Sequence, residues 1–83
     1  MYTTYILKSI NHNRYYIGST SNIHARLERH NQGRSKWTKT YKPWKLVYRE
    51  DFSDKGASLR REREIKSYKG GEAFKKLINN SNL

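Results

Sequence analysis

Two short runs rich in Thr, Tyr and Ile, residues 3–10 and 14–20, stand either side of Asn11-His12-Asn13, a segment with turn chemistry. The pattern predicts a β-hairpin at the start of the chain, and it constrains everything that follows. Side chains alternate faces along a strand, so the parity of the loop decides which tyrosines meet. A loop of two residues (His12-Asn13) or of four puts Tyr5 and Tyr16 on one face; an odd loop separates them.

After Gly18 the spacing of apolar residues changes. Ser21 or Asn22 can cap a helix, Ile23 and Leu27 recur at i, i+4, and Gly33 is a stop. Asn22, Arg26 and His30 form a second row beside that stripe, at the rim of the sheet. Residues 34–43 read as a basic loop. Trp44-Lys45-Leu46-Val47-Tyr48-Arg49-Glu50 alternates at its ends around an apolar centre, as a third strand does. Ser53 or Asp54 opens a longer helix with Ala57, Arg61, Ile65 and Tyr68 on one stripe. Gly70-Gly71 breaks it, and Glu72 to Ile78 forms a last short helix carrying Phe74, Leu77 and Ile78. Residues 79–83 are expected as a frayed tail of a single domain, 1–83. The order ββαβαα predicts an α+β fold: a small three-stranded antiparallel sheet flanked by helices.

Composition narrows the function classes. The 83 residues support one modest core, and without Cys neither a disulfide framework nor a thiolate metal site is available. Nothing approaches the run of about 18 apolar residues that spans a bilayer, and no basic segment precedes a long apolar one at the N-terminus. A cytoplasmic protein is the expectation. The 18 Lys and Arg against 7 Asp and Glu give a net charge of +11, which points to a polyanionic partner. No basic amphipathic helix with Trp or Phe on its apolar face lies near the start, which favours nucleic acid over a membrane.

Charge names a partner and no chemistry. Gly-x-Ser-x-Gly and a Walker-type phosphate loop are both missing. His12, His24 and His30 lack zinc-ligand spacing, and the scattered acids do not suit a two-metal nuclease. What remains is Tyr5 and Tyr16 on the hairpin, with Gly18 leaving room for a phosphate backbone to approach. Arg26 offers a planar fork for phosphoryl oxygens, and His30, one turn on, can share or relay a proton. Each of these alone reads more simply as packing or as a solvated helix face.

Together, Thr3-Thr4-Tyr5, Tyr16-Ile17-Gly18, Arg26 and His30 within residues 22–31, Pro43-Trp44-Lys45-Leu46-Val47-Tyr48 and Arg61-Glu62-Arg63-Glu64-Ile65-Lys66 resemble the GIY-YIG nuclease superfamily, in particular its small stand-alone bacterial members. Thr3-Thr4 replace the Gly-Ile of the first motif. The resemblance implies phosphodiester cleavage with one divalent metal, Mg²⁺ or Mn²⁺, held by a Glu of the later helix. By that likeness Tyr5 positions the attacking water, Tyr16 is the general base, Arg26 stabilises the transition state, His30 stands beside the base and Glu62 is the metal ligand. Glu64 is its rival by spacing. Arg34, Lys36, Trp37, Lys39, Lys42 and Lys45 then read as a substrate platform, with Trp37 available to stack on a base. DNA is the expected substrate, in repair, recombination or cleavage of branched structures. The alternative is a non-catalytic module binding DNA or RNA.

Overall fold

A computed structural model of the chain describes all residues except Ser35 and Asn82. Its elements are β1 (Tyr2–Ser9), β2 (Tyr15–Thr20), α1 (Ile23–Asn31), α2 (Lys36–Thr40), β3 (Trp44–Phe52), α3 (Lys55–Ser67) and α4 (Glu72–Asn79). The three strands form one antiparallel sheet in the order β2-β1-β3, the α+β arrangement expected from the sequence.

The hairpin settles its own parity. Ser9 N–H donates to the Arg14 carbonyl at 3.0 Å, so the loop is residues 10–13, an even number. Tyr5 therefore pairs with Gly18 and Leu7 with Tyr16, which places both tyrosines on one face.

Helices cover both faces of the sheet. On one side, Tyr5 and Leu7 pack with Ile23 and Trp44, joined by Tyr16, Leu27, Tyr41 and Leu46. On the other, Ile6 packs with Val47, Ile65 and Phe74, joined by Tyr15, Ile17, Tyr48 and Tyr68. The apolar centre of β3 has a cause in this arrangement. The register slips between Ile6 and Leu7, and the bulge sends Val47 and Tyr48 to the same face while Leu46 goes to the other.

Local signals act where the sequence puts them. Asn22 caps α1 by accepting the Ala25 N–H at 3.1 Å, and Asp54 caps α3 by accepting that of Ala57 at 2.9 Å. Gly33 takes a positive φ just beyond α1, as does Gly70 between α3 and α4. One expectation changes. Part of the basic loop 34–43 is the short helix α2. On α3, Ser58 is fully buried, accepting at its carbonyl from the Thr4 hydroxyl at 2.7 Å and sharing a hydrogen bond with the Ser19 hydroxyl at 2.7 Å. Asn79 ends α4 and Asn80 caps it, so the segment 79–83 begins within the last helical turn; Asn82 lies outside the described residues.

Candidate active site

Tyr5 stands in the central strand, fully buried, with its ring laid across Gly18 of the neighbouring strand. A Cβ on residue 18 would lie 2.6 Å from the Tyr5 hydroxyl oxygen. The room expected there for a phosphate is thus taken by a phenol, and glycine is required for Tyr5. The Tyr5 and Tyr16 rings stack at 6.2 Å between centroids, and Tyr16 is 4.6 Å from the His30 ring. α1 supplies His30 from its last turn: its Nε2 lies 3.3 Å from the Tyr5 hydroxyl and its Nδ1 3.1 Å from the Thr38 hydroxyl.

Burial and charge set the protonation of this group. Burial raises the Tyr5 pKa well above that of an ordinary phenol, with Tyr16 adding to the rise, while the charge and donor hydrogens of Arg26 oppose it. Tyr5 is therefore a neutral phenol. His30 moves the other way: burial lowers its pKa, and the charges of Arg26 and Arg29 lower it further. The ring is a neutral imidazole, able to accept a proton at one nitrogen and donate from the other.

Outward from this group opens a cleft of about 220 Å³ lined by Tyr16, Arg26, Arg29, His30 and Arg34. Three guanidiniums on one wall suit phosphoryl oxygens. Lys36 and Lys39 are exposed on α2, and Trp37 beside them is 46% exposed, its ring 6.2 Å from Tyr16. Trp44 is core, with its indole N–H donating to the Thr38 carbonyl at 2.8 Å. Lys42 is exposed, its amine near Gly33 just beyond α1. Lys45 departs from the platform. It pairs with Lys8 in the sheet and lines a separate depression with Lys8, Ser9 and Ile10.

The two carboxylates of α3 separate clearly. Glu62 is largely shielded, is close enough for its charge to act on Tyr5, and is paired with Lys66 at 2.7 Å. Glu64 turns away, to Arg61, which also holds Glu50 of β3 at 3.0 Å. Among the described residues no cluster of three or more His, Cys, Asp or Glu is present. A lone shielded carboxylate fits a hard cation that keeps most of its waters and takes oxygens from a bound phosphate. Lys66 must then release it.

Sequence reasoning missed Thr38 and Arg29. Arg29 had a signal, three residues from Arg26 on the same helix. Thr38 had none: a five-residue helix is too short to show a period.

The sequence model of the GIY-YIG catalytic domain matches residues 1–76. This chain belongs to the GIY-YIG family. A UPF0213 protein of Staphylococcus haemolyticus is 45% identical over 64 residues, covering 76% of this chain and 78% of the relative. A UPF0213 protein of Staphylococcus aureus is 44% identical over 54 residues, covering 64% of this chain and 66% of that one. The solution NMR structure of a UPF0213 protein from Bacillus halodurans shares the fold, with a TM-score of 0.60 at 24% identity over 98% of this chain and 86% of the other. GIY-YIG is a nuclease family, generally dependent on a divalent metal and acting on nucleic acid. None of the helices, among the described residues, is long and apolar enough to cross a membrane.

Proposed function

We propose that this GIY-YIG protein is an endonuclease that hydrolyses phosphodiester bonds in DNA, in repair, recombination or on branched structures in the cytoplasm. The observation that carries the reading is the convergence of Tyr16, Arg26 and His30 at one cation-lined cleft, with Tyr5 buried behind them against Tyr16 and His30 and the Glu62 charge in reach of Tyr5.

Each residue has a part that its surroundings support. Arg26, with Arg29 and Arg34, binds the phosphate and neutralises charge that grows on its oxygens as water adds. Tyr5, held protonated and fully buried, orients the water through His30, which its hydroxyl meets at 3.3 Å and which lines the cleft, and does not take its proton. Tyr16, at the cleft wall, is the base in its phenolate form: it takes that proton as the water oxygen bonds to phosphorus and the bond to the in-line departing oxygen breaks, that oxygen taking a proton from solvent. Glu62 would hold Mg²⁺ or Mn²⁺, which supplies Lewis-acid polarisation of the phosphate and its leaving group when bound.

The test is nicking of supercoiled and branched DNA with Mg²⁺ or Mn²⁺, beside binding measured by fluorescence anisotropy. Tyr16→Phe and Glu62→Ala are expected to lose cleavage by about 100-fold or more while binding persists. Full cleavage by both variants would sink the assignment. The Lys66–Glu62 ion pair favours the second reading, a binding module without catalysis. Tight binding by the wild type with no cleavage under either metal would select it.

A further inference from the structure

The hydrogen bonds of the His30 ring join Tyr5 to Thr38, a residue with no part in the reading above. Thr38 is fully buried, and three parts of the molecule hold it in place. Its carbonyl accepts the Trp44 indole N–H at 2.8 Å and the Tyr41 backbone N–H at 3.2 Å, and its hydroxyl meets His30 Nδ1 at 3.1 Å. At the other end, the Tyr5 hydroxyl lies 3.3 Å from His30 Nε2. A phenol is a stronger acid than an aliphatic hydroxyl, so of the two hydroxyls that face the ring Tyr5 is the one that donates, to Nε2. A neutral imidazole that accepts at Nε2 carries its hydrogen on Nδ1, facing Thr38.

We infer that Thr38 is a positioning residue: its hydroxyl accepts from Nδ1–H and fixes His30 as the tautomer whose Nε2 lone pair faces the Tyr5 phenol. The α2 turn is thereby part of the hydrogen-bonded chain Tyr5, His30, Thr38. This inference rests on the nuclease reading for its purpose and on hydrogen-bond geometry alone for its content. Its first test therefore does not use cleavage.

In the full chain labelled with ¹⁵N-histidine, at a pH where His30 is neutral, ring-nitrogen shifts separate a protonated from an unprotonated nitrogen. The wild type is expected to show Nδ1 protonated and Nε2 bare. Thr38→Val, which keeps the shape and removes the hydroxyl, is expected to mix or invert the two forms, and Thr38→Ser to restore the wild-type pattern. Cleavage by Thr38→Val should fall roughly tenfold or more in kcat with KM little changed, and Thr38→Ser should regain it. Protonated Nε2 in the wild type would overturn the inference. So would an unchanged tautomer in Thr38→Val, whatever its activity. Should Thr38→Val fail to fold, the wild-type spectrum and that of Thr38→Ser still decide: loss of the Nδ1–H form in either one refutes it. If cleavage is absent in the wild type while the tautomer pattern holds, the nuclease reading fails and this one stands.

Discussion

Two single residues near the centre carry measurable consequences. Gly18 faces the Tyr5 ring so closely that a methyl there would sit 2.8 Å from Tyr5 Cζ and 2.6 Å from its hydroxyl oxygen. Overpacking of this kind costs about 1–3 kcal/mol, and Tyr5 cannot yield without leaving His30. Gly18→Ala should therefore lower the urea midpoint and cleavage together; a wild-type midpoint would show that the ring has room. His30 gives the pH dependence. Its folded pKa is lowered by burial, so as pH falls below the ordinary histidine value of about 6.5 the unfolded chain takes up a proton before the folded one does. Stability from this group is complete above that value and declines below it. Asp51 acts in a more acid window: the Thr3 hydroxyl, then Arg49, hold its carboxyl below the usual range, and its contribution declines below the ordinary carboxyl value and is gone once pH has fallen through the lowered one. Melting temperature against pH should slope less steeply between about 5 and 6.5 in His30→Gln than in the wild type. Equal slopes would assign the loss to other groups.

At the level of elements, the register of the sheet and the seating of α3 determine which side chains can meet. Asp54→Ala removes the N-terminal side-chain cap of α3 and is expected to cost about 1 kcal/mol, read as a lower unfolding midpoint. The hydrogen bonds of Ser58 with buried Thr4 and half-buried Ser19 fix where α3 lies along the sheet, and Glu62 is one turn beyond Ser58. How far the sequence could disclose all this follows from the range of each interaction. The hairpin, the Asn22 and Asp54 caps and the Ile23–Leu27 stripe were legible because each depends on neighbours a few residues away. The bulge in β3 was visible only as an unexplained apolar centre, since it arises from pairing with β1. α2 was hidden by its five residues and its lysines. Tyr5, Tyr16, Arg26, His30 and Glu62 were legible as a set through family likeness, not through any property of the separate residues. Thr38, Ser58 and the loss of Lys45 from the platform follow from contacts between distant segments, which no local pattern carries.

Over the whole molecule, the charge of +11 acquires a direction. Arg26, Arg29 and Arg34 line the cleft, and Lys36 and Lys39 stand exposed on α2, whereas on α3 Glu62 pairs with Lys66 and Glu64 with Arg61. Binding to a short DNA should weaken linearly in log–log form as salt rises, and Arg34→Gln should reduce that slope by about 1. An unaltered slope would take Arg34 off the phosphate path. The groups assigned to the reaction come from β1, β2, α1, α2 and α3, that is from layers on both faces of the sheet. No fragment, and no state with one layer undocked, contains them all. Turnover is then a global reporter: it should vanish at the same denaturant concentration as the last tertiary signal, leaving no active intermediate and making a cleavage assay a sensitive thermometer of the intact fold.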